Sequence, residues 1–252
     1  MIDASVYALP LIAGIIGGAM NALAGGGTFA TLPALIALGL PANIANATSN
    51  FALMPGACSS AWVYRDELEP LGGVKIWWLA LITFIGGLGG GILLVITPTR
   101  AFDLIIPWLL LFAFVVMLFG ARASAWLRAR VTIGKPALIC AQIFLGIYGG
   151  YFGGGVGLIT TAIYGLLAGI SVREMFAPRT LMLATANIAA AVIFLYCAMI
   201  DWRTCLPMLT GAVVGGWLGA HVGKKLPLRV VRLWTLTVTL ATTVVFFSRA
   251  YG

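Results

Sequence analysis

Long apolar stretches follow one another along most of the chain, and few charged residues interrupt them. An α-helix needs roughly 17 to 25 mainly apolar residues to cross about 30 Å of hydrocarbon. Residues 74–96, 101–120, 180–200 and 230–247 all meet that length. The strands of a membrane β-barrel would instead alternate apolar and polar positions. The pattern therefore predicts an all-α polytopic membrane protein.

Ten apolar elements divide the chain, and the second and seventh are too short to span a membrane alone. The elements cover residues 6–23, 29–40, 44–64, 74–96, 101–120, 136–152, 156–169, 180–200, 205–222 and 230–247. Each short element follows a glycine triplet, residues 25–27 or 153–155. Glycine adopts backbone angles closed to other residues and lets a ligand approach the main chain. We therefore expect each triplet to break a membrane helix, although close helix packing would also favour small residues.

The glycine triplets are landmarks of an internal repeat. Offsets of 128 or 129 positions relate the two triplets, Gly86-Gly87 with Gly215-Gly216, and Pro98 with Pro227. Landmarks that recur in order predict two homologous halves. The first repeat is assigned to residues 1–120 and the second to residues 136–252, with a basic linker over residues 121–135.

Basic residues predict the orientation, because loops rich in Lys and Arg stay in the cytoplasm. If each half has three spanning helices and a two-armed hairpin, twelve basic residues fall on one face. Only Arg100, Arg203 and Arg249 then fall on the other face. If only the short elements are re-entrant, the division is eight to seven, so the first arrangement is favoured. It makes the repeats inverted, with both termini outside and the linker inside.

Composition excludes several classes of function. The chain is 62% hydrophobic and 9% charged, whereas soluble domains carry about 25% charged residues. A net charge of +8 is assigned to topology rather than nucleic-acid binding, because no soluble domain is predicted. Four scattered cysteines predict neither a disulfide framework nor a metal site, and no cofactor is expected. The sequence lacks HExxH and a membrane carboxylate pair, and the lone His221 lies near a helix end, so an enzyme is not expected.

Neutral hydrogen-bond donors lie within the apolar elements, whereas all seven carboxylates lie at element ends or in loops. Intramembrane Asp or Glu usually marks a proton or cation relay. Their absence favours an anionic substrate. The neutral donors are Asn21, Thr28, Asn46, Thr48, Ser49, Asn50, Gln142, Tyr148, Tyr151, Thr160, Thr161 and Asn187.

The predicted substrate site is the place where the two helix breaks meet. Half-helix N-termini offer N–H groups and partial positive charge to an anion. Among side chains, Thr48, Ser49 and Asn50 are the first candidates, because three consecutive polar residues inside a membrane element are costly unless used. Their alternative use is interhelical hydrogen bonding, which is the preferred reading for Asn21, Gln142 and Asn187 taken singly. The full candidate set is Gly25, Gly26, Gly27, Thr28, Thr48, Ser49, Asn50, Gly153, Gly154, Gly155, Arg179, Thr180 and Asn187.

Arg179 follows Pro178 and precedes a spanning segment. Its guanidinium could reach the cytoplasmic interface as a topology charge, which is favoured. The alternative is that it attracts anions at the inner mouth of the pathway.

Two stretches resemble the sulfite exporter TauE/SafE family, also known as the 4-toluene sulfonate uptake permease family. They are GGAMNALAGGGTFATLPALIALGLPANIANATSNFA and GIYGGYFGGGVGLITTAIYGLLAGISVREMFAPRTLM, one in each half. The resemblance implies a secondary transporter of small sulfur-containing anions, such as sulfite, sulfoacetate or other organosulfonates, in a bacterial inner membrane. Inverted repeats with glycine-broken helices predict alternating access, and the sequence leaves proton or ion coupling open. An uncoupled anion channel lined by the same donors is the alternative.

One departure from a clean repeat concerns Thr48. The first half reads Ala47-Thr48-Ser49-Asn50. In the second half, both Arg179-Thr180 and Ala184-Thr185-Ala186-Asn187 could be the counterpart, and the sequence leaves the two open.

Overall fold

The computed structural model describes residues 5–128, 134–170, 173–223 and 225–252, and that part of the chain is helical nearly throughout. Its α-helices are α1 (Ser5–Leu23), α2 (Thr28–Ala37), α3 (Ala42–Val63), α4 (Ile76–Ile96), α5 (Thr99–Arg128), α6 (Lys135–Tyr151), α7 (Val156–Leu167), α8 (Phe176–Tyr196), α9 (Trp202–Gly223) and α10 (Leu228–Tyr251). Six of them are long and apolar enough to cross a membrane. The short elements α2 and α7 have 10 and 12 residues. The all-α membrane class and the two short helices are confirmed.

Helices α5 and α8 are among those that extend beyond the predicted apolar elements. Helix α5 continues to Arg128, eight residues past the predicted end at 120, because residues 121–128 are mostly good helix formers without Gly or Pro. Part of the predicted linker is therefore helical, and residues 129–133 lie outside the described part of the chain. Helix α8 begins at Phe176, four residues before the predicted start at 180, and tolerates Pro178 because that residue lies in the first turn.

Helix α9 packs closely between α1 and α3. Its glycines at 211, 215 and 219 face Leu11, Ile15 and Ala19 of α1, so the two helices run in the same direction. A Cβ atom at Gly215 would lie 2.0 Å from the carbonyl oxygen of Ile15. Close backbone approach of this kind depends on small residues at the interface.

Helix α4 of the first half packs in the same way between α6 and α8 of the second half. Gly86 and Gly90 face the carbonyls of Ile143 and Ile147 in α6, so these helices also run in the same direction. On its other side, Gly87 packs against Ala186 of α8. If α1 is replaced by α6, α3 by α8 and α9 by α4, the same pairs of helices are in contact.

Two helical hairpins complete the fold. The chain turns back after α1, so that Thr31 of α2 packs against Gly17 of α1. It turns back again after α6, so that the Tyr164 hydroxyl of α7 donates to Gln142 Oε1 of α6 at 2.8 Å. Helix α7 packs on α5, and α2 packs on α10.

Helices α3 and α8 cross the centre in opposite directions. Asn50 contacts Asn187, and two residues earlier on α3 the Thr48 hydroxyl accepts from the Asp201 N–H, beyond the end of α8. Corresponding helices with opposite directions are what inverted repeats would produce, and the inversion itself stays a prediction.

Adjacent glycines of α4 test the importance of close packing. A Cβ atom at Gly90 would lie 2.1 Å from the Ile147 carbonyl oxygen, whereas one at Gly89 would meet nothing within 4 Å. We expect Gly90→Ala to lower the free energy of unfolding by about 1 to 3 kcal/mol through overpacking. Gly89→Ala serves as the matched control and should leave it unchanged or slightly higher. Thermal unfolding of the detergent-purified variants measures both, and equal midpoints would contradict the packing.

Cysteine labelling tests the predicted orientation. Cys197 is exposed directly after α8 and is predicted to lie outside, whereas Lys135 at the start of α6 is predicted to lie inside. With the other cysteines replaced by serine, we expect a membrane-impermeant maleimide to label Cys197 in intact cells. A Lys135→Cys variant without native cysteines should be labelled only after permeabilisation. The reverse pattern would contradict the orientation derived from basic residues.

Candidate functional site

The two hairpins turn at residues 24–27, the first tip, and at residues 152–155, the second tip, and these tips meet inside the helix bundle. Gly25 has a φ of 77° and Gly153 a φ of 72°, angles that other residues rarely adopt. The Gly157 N–H donates to the Gly25 carbonyl at 3.2 Å, and a Cβ atom at Gly25 would lie 2.3 Å from the Gly157 Cα. Glycine is therefore required at this contact both for its backbone angle and for its size.

The helices that leave the two tips begin with unpaired backbone donors. Among the described residues, no protein oxygen accepts a hydrogen bond from the N–H groups of Thr28 and Val156, the first residues of α2 and α7. Both residues are buried. Buried N–H groups without a partner are rare in proteins. A helix N-terminus with free N–H groups is suited to binding an anion.

Asn50 and Asn187 lie together beside these N-termini. The Asn50 Nδ2 atom donates to Asn187 Oδ1 at 3.3 Å, and both side chains are buried. A Cβ atom at Gly153 would lie 3.3 Å from Asn50 Nδ2 and 3.6 Å from the Thr28 hydroxyl oxygen. The second glycine tip, the start of α2 and the central asparagines therefore line one place. The Asn50–Asn187 contact also favours Ala184-Thr185-Ala186-Asn187 as the counterpart of residues 47–50.

Asn46 lies one helical turn before Asn50 and faces the second hairpin tip. Its Nδ2 atom donates to the Tyr151 carbonyl at 3.1 Å. The Oδ1 atoms of Asn46 and Asn50 are buried without a hydrogen-bond partner in the described structure. The sequence indicates Asn46 as a neutral donor but does not predict it as a site residue. Its spacing of four residues from Asn50, which puts both on one helix face, could have indicated it.

Other candidate side chains take part in hydrogen bonds that hold the bundle together. The Ser49 hydroxyl bonds to the Thr31 hydroxyl of α2 at 2.6 Å. Thr48 accepts from the Asp201 N–H, and the Thr180 hydroxyl donates to the carbonyls of Phe176 and Ala177 in its own helix. For Thr48 and Ser49, these contacts correspond to the interhelical alternative.

Asn21 fixes the shape of the first tip. Its Oδ1 atom accepts from the Gly27 N–H at 2.6 Å and is buried. This bond satisfies one of the donors that the helix break releases. The second tip is held differently, because the Tyr148 hydroxyl donates to the Gly154 carbonyl at 3.0 Å.

Arg179 is buried at the first hairpin tip, so the interfacial role favoured from the sequence is wrong. The side chain is 3% exposed and donates through Nη2 to the carbonyls of Ala22 and Leu23, at 3.1 and 2.9 Å. These carbonyls end α1, where the helix dipole is negative and a cation is stabilised. Its Cδ atom also lies close to Gly157, 3.2 Å from a Cβ atom placed there.

The carboxylates of the described residues lie away from this site. They are Asp66, Glu67, Glu69, Asp103, Glu174 and Asp201, in loops, in turns or near helix starts. Asp103 lies 3.9 Å from Arg249, and Asp201 accepts from the N–H of Thr204 at the start of α9. The predicted distribution is confirmed for these six, whereas Asp3 lies outside the described residues.

Helix breaks that meet inside a membrane bundle are found in secondary transporters. The chain belongs to the sulfite exporter TauE/SafE family, because the model of that family matches residues 10–246. The resemblance seen in the sequence is thereby confirmed, and the chain is an integral membrane protein of a transporter family.

Several bacterial relatives match nearly the whole chain. A "Probable membrane transporter protein" of Haemophilus influenzae is 27% identical over 95% of this chain and 96% of its own. The "Probable membrane transporter protein YfcA" of Escherichia coli K12 is 29% identical over 87% of this chain and 82% of its own. A "Probable membrane transporter protein ORF9" of a Sinorhizobium species is 25% identical over 94% of this chain and 90% of its own. Their names agree on transport, and they name no substrate.

The Asn21–Gly27 bond predicts a specific loss of stability. We expect Asn21→Leu to lower the free energy of unfolding by about 1 to 3 kcal/mol, because a buried N–H loses its acceptor. Thr237→Val is the control, since the exposed Thr237 hydroxyl bonds only to Leu233 of its own helix. Thermal unfolding in detergent compares the two. A midpoint for Asn21→Leu equal to that of the control would show that the bond is unimportant for the tip.

Proposed function

We propose that this protein is a secondary transporter of small sulfur-containing anions, and that the substrate binds between the two glycine tips. The observation on which the proposal rests is the pair of unpaired N–H groups, those of Thr28 and Val156, at the starts of α2 and α7. In a bilayer, freed backbone groups are tolerated only where they line a cavity or are buried in protein. An anion that accepts from them would supply the missing partners.

Neutral donors suit an anion that must be released again. Charge-assisted hydrogen bonds from N–H, amide and hydroxyl groups stabilise an oxyanion strongly, but they do not form the close ion pair that would hold it. Arg179 supplies a positive charge beside the first tip, while its Nη2 atom is bound to the carbonyls of α1. The site thus combines a weak positive potential with hydrogen-bonding groups.

The proposed mechanism is alternating access around a central site. In secondary transporters built from inverted repeats, one group of helices moves against the other while the site stays near the middle of the membrane. Here the contact between Gly25 and Gly157 joins the two hairpins, and Arg179 joins α8 to the end of α1. We assign these contacts to the closed side of the pathway, where they would separate when it opens.

Family membership supports the sulfur-anion class of substrate. The family is described by sulfite export, and the N–H and amide donors at the two tips suit a compact anion with several acceptor oxygens. Sulfite, sulfoacetate and other organosulfonates share an SO3 group with three such oxygens.

Flux through purified protein in proteoliposomes tests the proposal. Sulfite, sulfoacetate, a larger sulfonate and sulfate are compared, with and without a pH gradient. We expect saturable, selective movement of one sulfur anion. Its accumulation against a gradient would distinguish a coupled transporter from an uncoupled channel. Absence of flux for all four, through protein shown to be folded, would contradict the proposed substrate class.

A pair of variants then places the substrate in the structure. We expect Asn50→Leu to weaken the apparent affinity by about tenfold, because a buried hydrogen-bonding group at the tips is lost. Thr237→Val, on the exposed face of α10, should leave affinity unchanged. An unaltered affinity in folded Asn50→Leu would place the substrate elsewhere.

A further inference from the structure

The site contains acceptors as well as donors. Within the described part of the chain, the Oδ1 atoms of Asn46 and Asn50 are buried and accept no hydrogen bond. Asn46 is 1% exposed. A buried polar atom without a partner is unfavourable, and such atoms in a binding protein indicate a group that the ligand provides.

The orientation of the Asn46 amide is fixed by its neighbour. The Tyr151 carbonyl can only accept a hydrogen bond, so the amide nitrogen of Asn46 must face it. The oxygen is therefore the atom left without a partner. Asn50 and Asn187 are both amides and could exchange donor and acceptor, so Asn46 is the more decisive of the two acceptors.

The unpaired acceptors lie close to one of the unpaired N–H groups, that of Thr28. Asn46 and Asn50 are separated by one turn of α3 and share a face. That face contacts Tyr151 and Gly153 at the second hairpin tip. Gly153 in turn lies beside Thr28, whose backbone N–H is unpaired.

An anion without an O–H group can satisfy the donors of this site but not its acceptors. Its oxygens can accept from the Thr28 N–H, but an oxygen that faces Asn46 Oδ1 would meet lone pairs without a proton between them. A ligand that carries an O–H would satisfy both sets, because it accepts through its charged oxygens and donates through its hydroxyl.

We propose that the site binds a singly charged oxyanion bearing one O–H group, and that this hydroxyl donates to Asn46 Oδ1. The inference rests on the proposed function and narrows its substrate class, since a protonated anion such as hydrogensulfite fits better than a sulfonate group, which has no hydroxyl. The proton stays on the ligand oxygen throughout, so no bond is broken. A proton then crosses with each anion without a carboxylate relay in the membrane.

Two ligands of matched shape and charge test this inference in the unmodified protein. The methylphosphonate monoanion and methanesulfonate are both tetrahedral, carry one methyl group and one negative charge, and differ by one O–H. Their affinities are measured in mildly acidic buffer by thermal stabilisation of the detergent-purified protein. We expect methylphosphonate to bind about fivefold more tightly, the order expected for one added hydrogen bond.

Asn46→Leu should remove this preference, because the acceptor is gone, and the control Thr237→Val should keep it. Methylphosphonate that binds no more tightly than methanesulfonate to the unmodified protein would overturn the inference, whether or not the variants fold. The proposed function would still stand in that case if sulfite flux is selective and saturable. Selective flux of none of the sulfur anions, together with preferential binding of methylphosphonate, would instead overturn the proposed substrate class and retain the hydroxyl-bearing ligand.

Discussion

Backbone groups freed inside a bilayer must find partners within the protein. The partners of these groups determine how the two hairpins and the helices around them are arranged. Each glycine tip interrupts a helix and releases carbonyls from the preceding helix and N–H groups from the following one. At the first tip, Arg179 bonds to the carbonyls of Ala22 and Leu23, and Asn21 bonds to the Gly27 N–H. The two tips also bond to each other through Gly25 and Gly157. What remains unpaired lies where a ligand is proposed to bind.

The glycine-rich helices α4 and α9 hold the tips in position. Each lies between two helices that run in its own direction, with main chains so close that added Cβ atoms would overlap neighbouring carbonyls. Since lipid provides no hydrophobic drive for helices to associate, such packing and a few interhelical hydrogen bonds stabilise the bundle. The Ser60 hydroxyl, for example, bonds to the Gly216 carbonyl, and the Tyr64 hydroxyl bonds to the Ala220 carbonyl. The main chains of α9 and α4 therefore pack closely against α1 and α6, the helices that lead into the two hairpin tips.

Partial charges and one buried cation, rather than a cluster of charged side chains, define the electrostatics of the proposed site. The described carboxylates lie in loops or near helix starts, so none of them opposes an anion at the tips. Helix N-termini and amides attract an anion without forming a permanent ion pair. In the proposed site, the unpaired acceptor of Asn46 would add selectivity, because it would distinguish ligands by a single proton. Attraction and selectivity thus come from different groups at one place.

The membrane class, the ten apolar elements and the two helix breaks can be predicted from the sequence, because apolar length and glycine clusters act locally. The sequence also indicated the family through two stretches that each surround a glycine triplet. Which polar residues meet depends on how the helices pack, and this cannot be predicted from local patterns. Thr48, Ser49 and Asn50 are neighbours in sequence, yet a helix turns successive side chains by about 100°, so they reach three different partners. Likewise, the local sequence around Arg179 predicts an interfacial charge, whereas in the structure this side chain bonds to the end of α1, 156 positions away along the chain.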